Sequence, residues 1–546
     1  MHRFAVVSDP HIHALFPDYG VEGVRFQGRA GACVRSRRDS VESTRIFNES
    51  GLALTAALEA CAAQGIRTVL IPGDLTDDGQ APSMEAALAL LVDYGTRHDM
   101  RFFLCPGNHD AYGMSGRPHT KAFLTGSGGS VTVSSRPEDA GKPAGGETVH
   151  DPRMGCGSYV GLAEAWRAHG LMRDPRDLHW ESPFGPDDSP ASRMHDMTAA
   201  DGRTTHRQID LSYLVEPEPG LWLVSIDANV FEPRSGRPDN TQPDAFEDST
   251  NAGWNALVRL KPFLLDWMAD VARRAQDLGK TLICFSHYPV ADVLRGTLEA
   301  ERALFGQSTG VRRNPTPATT ARVAATGIGR HFSGHLHYHA TARAAEGGPA
   351  LVNHAVPSPV AFPPAFLLAS ATPATLTTTP QVIDFAGFDA FFRFYGKGGE
   401  APDWLEAATY PEFLYRHIGA QVRHRFLPND WPQDLRACLE GRSTGDLVAL
   451  ARRDAPADAA DPSLPKGGAG LPVTRLLTDW YALRSAGELA RPFLTDDALR
   501  DYSALIAAYA GRHWADPTSV QARIQIFVHM LAQMLADAGI APEDAA

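Results

Sequence analysis

Residues 68–79 read Thr68-Val69-Leu70-Ile71-Pro72-Gly73-Asp74-Leu75-Thr76-Asp77-Asp78-Gly79. The opening β-branched and apolar run predicts a strand buried on both faces. The glycine and aspartate after it predict a turn that leaves a carboxylate just beyond the strand's carboxyl end. The arrangement recurs. Asp9-Pro10-His11 follows Phe4-Ala5-Val6-Val7, and Gly107-Asn108-His109-Asp110 follows Phe102-Phe103-Leu104-Cys105. His287 follows Leu282-Ile283-Cys284-Phe285, and Gly334-His335-Leu336-His337 follows His331-Phe332-Ser333. Leu221-Trp222-Leu223-Val224 predicts one more strand. Helical spacing intervenes: Leu54, Leu58 and Cys61 share one face, as do Leu264, Met268 and Val271. Strands alternating with helices predict an α/β core. Ligands of open α/β sheets bind outside the carboxyl ends of strands, so five such motifs can meet in one crevice.

Taken singly, each motif has an ordinary explanation. A Gly-Asp after a strand is usually a turn, and a histidine in apolar surroundings is usually a satisfied core residue. Together and in this order they resemble the calcineurin-like metallophosphoesterase family: D-x-H, G-D, G-N-H-D, H and G-H-x-H. The likeness runs over roughly residues 3–365 and leaves two insertions unmatched. It implies a four-layer α/β/β/α sandwich with two metal ions at its edge. Asp9, His11, Asp74 and His337 would hold one ion. Asp74, Asn108, His287 and His335 would hold the other, with Asp74 bridging.

The residue types suit that chemistry. Nitrogen and oxygen ligands without cysteine favour Zn, Mn or Fe over Ca or Mg, as divalent or trivalent ions. Two aspartates leave two such cations in charge excess, and the neutral Asn108 amide does not cancel it, so a phosphate anion is attracted. Paired cations lower the pKa of a water between them and clamp phosphoryl oxygens. The expected reaction is hydrolysis of a phosphodiester by a hydroxide bridging the metals. His109 is the expected general acid, with Asp110 orienting its ring. Asn108 and His109 are also the expected substrate contacts, together with Tyr112, which could stack on a base or simply pack in its loop.

The stretch Gly73–Gly79 followed by Ser83 is similar to the GDLTxxGxxxS pattern of bacterial cyclic-nucleotide phosphodiesterases, some of which carry a helical C-terminal domain. A cyclic nucleotide or another small phosphodiester is therefore the expected substrate. Phosphomonoester or nuclease activity on the same site is the alternative. A non-catalytic interaction scaffold on the same fold is the alternative of another class. Pro357-Ser358-Pro359 to Pro364 resembles a stretch of the same phosphodiesterases and is expected to shape one wall of the cleft. Asn353-His354 is expected to finish a strand, and His150, His195 and His206 to be surface or loop residues.

Length and charge bound the rest. A chain of 546 residues is too long for one ordinary core. The expected division is a catalytic domain over 1–380 and a helical domain over 381–546, where stripes such as Leu476/Trp480/Leu483 and Tyr502/Ile506/Tyr509 take over. Leu499 belongs to the second stripe, and Val520, Ile524, Phe527 and Met534 form a third, after a Pro/Gly-rich connection over Asp454 to Pro472. The helical domain could cap the cleft or join two copies of the chain. Insertions at about 14–43 and 113–205 read as long loops, apart from a helix near Leu162–Ala168. A formal net charge of -13 argues against sequence-independent nucleic-acid binding. No secretory signal and no membrane span are expected, and six cysteines without paired spacing predict buried thiols in the cytoplasm.

Overall fold

The computed structural model describes residues 1–141, 147–344, 348, 350–396, 403–453 and 464–540. Two sheets stack face to face. In the first, His2–Val6, Thr68–Pro72 and Arg101–Cys105 run parallel, and Ala365–Ala371 and Leu376–Val382 add antiparallel strands beside His2–Val6. In the second, Leu221–Ile226, Thr281–Ser286, Arg330–Ser333 and Val352–Ala355 run parallel. Tyr213–Glu218, His179–Glu181 and Ala340–Arg343 complete its edges antiparallel.

The two-residue period of a strand sorts side chains between layers. Leu221, Leu223, Ile283 and Phe285 belong to the inter-sheet core with Phe4 and Phe332, whose rings meet edge-on at 5.8 Å. Their neighbours Trp222, Val224 and Cys284 pack outward against Leu264, Met268 and Val271 of the helix Pro262–Asp277. Each of those helical side chains is fully enclosed and contributes roughly 1.5–3 kcal/mol by burial. Helices Ser50–Ala63 and Ala81–His98 pack together beside the first sheet, giving the α/β/β/α order. All six cysteines are unpaired and buried. No helix among the described residues is long and apolar enough to cross a membrane.

The insertions are built, not bare loops. Residues 14–43 hold a hairpin, Val24–Phe26 with Arg29–Ala32, and the helix Arg37–Val41, opened by a reciprocal Ser36–Asp39 cap. Within 113–205, Thr120–Leu124, Ser130–Ser134 and Thr148–His150 form a small sheet. It closes a separate apolar cluster of Tyr19, Cys33, Phe123, Val131, Val133 and Met154. The expected helix spans Tyr159–Ala165, and His179–Glu181 joins the large second sheet. These strands are three to five residues long and set among Gly and Ser turns, too short for alternation to stand out. His150 is exposed as expected, but His206 is buried against Phe246 and His195 lies between Phe184 and Phe263.

After Val382 the described chain is helical, including Tyr410–Gln421, Val473–Ala486, Asp496–Tyr509 and Val520–Asp537. Of the Asp454–Pro472 connection, residues 454–463 lie outside the described residues. Polar contacts fasten the helices to the sandwich. His417 Nε2 lies 2.8 Å from the Ser40 carbonyl, and the Gln421 amide donates to the Ser43 carbonyl at 2.6 Å. The Tyr395 hydroxyl donates to Glu49 at 3.0 Å.

Glu49 is fully buried, and burial drives its carboxyl from the ordinary 4.5 up to about 8. A raised carboxyl pKa means that the fold favours the neutral form. Its contribution is complete below about 4.5 and is lost as pH rises through about 8. Glu49→Gln should therefore gain on wild type as pH rises from about 5 to about 8, by up to about 1.4 kcal/mol per pH unit in urea unfolding, and level off above that. A difference that stays flat with pH would refute the buried-carboxyl account.

Candidate metal centre

Each motif lies where a parallel strand ends, and the backbone there is unusual. Asp9, His11, Asp74, His335 and His337 all have positive φ, between 46° and 70°. Aspartate and histidine tolerate that left-handed region better than bulky or β-branched residues. Strain of this kind persists only where the surroundings enforce it, and it is common at functional sites.

The enforcing contacts are interlocked loops. A Cβ on Gly334 would strike Ser8 Oγ and Asp9 Oδ2. A Cβ on Gly107 would strike the Asp74 nitrogen and Oδ1, and one on Gly73 would strike the His287 ring. The motif glycines are thus the spaces into which the side chains of other motifs fit. Backbone donors complete the lock: His335 N donates to Asp9 Oδ1 at 3.0 Å, and His109 N to Asp74 Oδ1 at 2.8 Å.

Two trios result, Asp9/His11/His337 and Asp74/His287/His335, all buried. Within each, one ligand atom per residue lies within 4.8 Å of the others, a spacing that could hold a metal ion. His11 Nε2 faces His337 Nε2 at 3.1 Å, and His335 Nδ1 faces His287 Nε2 at 3.1 Å. Asn108 Oδ1 lies 3.1 Å from His287 Nε2. Asp74 Oδ2 stands between the trios, 3.7 Å from His11 Nε2 and 3.3 Å from His287 Nε2. The outer nitrogens of two rings meet carbonyls: His287 Nδ1 with Pro72 O at 2.9 Å, and His335 Nε2 with Thr250 O at 3.0 Å. Such bonds fix the tautomer that leaves the inward nitrogen bare. The donor set is nitrogen and oxygen only, and it fits two transition-metal cations. The structure therefore brings together all seven side chains expected from sequence.

The electrostatics follow from this crowding. Burial alone would raise the Asp74 carboxyl, but His287 and then His109 hold it well below the usual carboxylate range. Burial lowers His287, yet Asp74 and Asp9 overturn that and lift it to about 9. His335 is pushed well down by burial and then by the charge of Arg313.

The expected partner of His109 needs correction. The Asp110 carboxylate accepts from Gly107 N at 3.0 Å, Thr76 N at 2.9 Å and Thr76 Oγ1 at 3.1 Å, and does not orient the His109 ring. It staples two motif loops, and burial followed by Asp74 lifts it to about 7. The ring is instead held by Asp78, whose Oδ1 lies 2.8 Å from His109 Nδ1. Lys121 reaches Asp78 at 2.8 Å and Asp77 at 2.5 Å, and Arg45 binds Asp77 at 2.6 Å. Asp78 stands within the quoted 68–79 stretch, but nothing in its spacing separates it from Asp77. Lys121 and Arg45 lie far off in sequence and carried no signal. Tyr112 is buried, edge-on to Phe231 at 5.1 Å and donating to Pro243 O at 3.2 Å, which is a packing role. Asn353 is likewise structural, lying within the strand Val352–Ala355 and bonding His331 Nδ1 at 2.6 Å.

Comparison with known proteins agrees with part of this picture. The sequence profile of the family described as calcineurin-like phosphoesterase matches residues 2–150, which hold the first three motifs. No curated protein matches the chain. Among solved structures, a dimetal phosphatase from Danio rerio is similar at 13% identity and a TM-score of 0.36, over 70% of this chain and 96% of that one. A likeness at that level carries no argument about chemistry.

The interlocking predicts a specific failure. Gly334→Ala should displace Asp9 and cut Mn uptake, read by elemental analysis, to about half or less. Gly51→Ala places its Cβ in open space on a helix, so it should leave uptake unchanged and add roughly 0.5–1 kcal/mol of stability. Equal uptake by both variants would show that the Gly334 contact does not set the site.

Proposed function

We propose that this chain is a two-metal phosphoesterase acting on a phosphodiester, a cyclic nucleotide or another small diester. The observation that carries the reading is the pair of buried trios with the Asp74 carboxylate between them. Asp9, His11, Asp74 and His337 are assigned to one cation, and Asp74, Asn108, His287 and His335 to the other. When bound, the cations supply Lewis acidity toward phosphoryl oxygens and make water a nucleophile near neutral pH. The preference for diesters rests on the likeness of Gly73–Gly79 and Ser83 to cyclic-nucleotide phosphodiesterases.

The chain's own groups do the rest. His109 lies beside the trios, its ring edge-on to His11 at 5.1 Å and its side chain one-quarter exposed. Its Nδ1–H donates to Asp78, which leaves Nε2 to pass a proton to the departing oxygen. Lys121 and Arg45 anchor the two aspartates behind it, so the ring is held from the rear. The loop Gly107–Asp110 donates from His109 N to Asp74 Oδ1 and sets Asn108 Oδ1 beside His287 Nε2. The last strand of the first sheet ends at Val382, which supports placing the division between a catalytic and a helical part near residue 380.

Elemental analysis should find about two transition-metal ions per chain, and an aryl phosphodiester should turn over with Mn. Asp74→Ala should lose both. His109→Ala should keep its metals and fall roughly 10²–10⁴-fold in kcat. Asp78→Asn should also keep its metals, lose roughly ten- to a hundredfold, and alter the pH profile, since it weakens the ring's support and is not among the assigned ligands. Full turnover by Asp74→Ala would sink the assignment, and turnover of monoesters alone would overturn the substrate class.

A further inference from the structure

A cavity lies between the loop carrying His335 and His337 and the helices of the C-terminal part. Arg313, Tyr338 and Phe362 line it from the sandwich, and Arg425, Trp480 and Arg484 from the helices. Two of the residues that line it carry an enclosed nitrogen with no acceptor among the described residues, Arg313 Nε and Trp480 Nε1. Neither group can accept a hydrogen bond, so each calls for an acceptor that no described residue supplies. A buried polar group left unpaired is costly, and such groups in a native fold call for an explanation.

The neighbouring charges define what that acceptor would be. Arg484 is already taken, by Glu301 at 2.7 and 2.6 Å and by the Tyr338 hydroxyl. Arg425 gives one nitrogen to the Glu42 carbonyl. Arg313 has no carboxylate partner among the described residues. Asp430 also lines the cavity, so the wall holds three arginines against two carboxylates. Burial raises the Asp430 carboxyl, which further weakens the negative side. Arg313 is close to the candidate metal centre, for it lines the same cavity as His335 and His337.

We propose that this cavity docks the non-reacting arm of the substrate, with Arg313 and Trp480 Nε1 binding a second oxyanion on that arm. The proposal rests on the phosphoesterase reading for the word substrate, but the anion subsite itself does not need turnover. The ligand class is a phosphoester whose ester arm ends in a carboxylate or a second phosphate-like group. The aromatic ring of Phe362 would flank the linking portion. Arg313 is then a specificity residue, and the helical part supplies half of the pocket that selects the substrate.

The test uses the full chain freed of metal and three aryl phosphodiesters of one leaving group. Their second arm ends in a carboxylate, a phosphonate or a neutral amide. Calorimetry on wild type should show at least one anionic arm bound about tenfold or more tightly than the amide, and the better of the two identifies the oxyanion. Arg313→Gln should bring the ratio to within about twofold, Arg313→Lys should keep part of it, and Trp480→Phe should lower it while keeping the ring. Equal affinity for all three arms in wild type overturns the proposal, as does a preference that survives Arg313→Gln. Should Arg313→Gln not fold, the wild-type ratio and Trp480→Phe decide. With Mn restored, an anion preference without hydrolysis would count against the phosphoesterase reading and leave the subsite standing. Hydrolysis without preference would do the reverse.

Discussion

The site depends on a volume constraint: loops from two sheets must approach until the side chain of one occupies the missing Cβ of another. Gly107 makes room for Asp74, Gly73 for His287 and Gly334 for Asp9. Each contact joins residues from different strand ends, so no motif can be positioned without the next. The left-handed backbone at five of the seven assembled side chains follows from this crowding. A relaxed loop at any one position would swing its ligand atom away. The cost of that strain is offset by backbone donors to Asp9 and Asp74, bonds that exist only when all the loops are in place.

The helical layer enters the same economy of space. Its polar fastenings reach Ser40, Ser43 and Glu49, all in the segment that leads from the first insertion into the helix Ser50–Ala63. The hairpin of that insertion is held from the other side, Phe26 stacking on Phe391 at 4.3 Å. Arg45, which anchors Asp77 behind His109, lies in this same segment. The support of the proposed acid is therefore sandwiched between the helices and the first sheet.

Much of this was legible in the sequence, for reasons that particular residues make plain. Buried parallel strands are continuous apolar runs, so Thr68–Ile71 or Leu282–Phe285 could be read directly, and the motif after each marks the strand end. That the five motifs could meet in one crevice follows from their places at strand ends, whereas the grouping of Asp9 with His337 is what the family resemblance implies. The support of His109 did not, because hydrogen bonding depends on which way a loop turns: Asp110 is adjacent in sequence but faces Thr76 and Gly107, while Asp78 faces the ring. Short strands such as Ser130–Ser134 were hidden by their turns. His206 reads as a surface or loop residue from its place beside the long insertion, yet it is buried against Phe246.

The Pro357–Pro364 stretch carries a further meaning. Ser358 Oγ donates to the Asp9 carbonyl at 2.7 Å, and the next residue's carbonyl accepts from the Tyr410 hydroxyl at 2.8 Å. Two consecutive residues thus couple a strand-end aspartate to the first turn of a helix some fifty positions later. The coupling makes the helical segment a co-author of the aspartate's geometry. Helices that lacked the Tyr410 hydroxyl would release one of the two bonds by which Ser358 and Pro359 tie Asp9 to that helix.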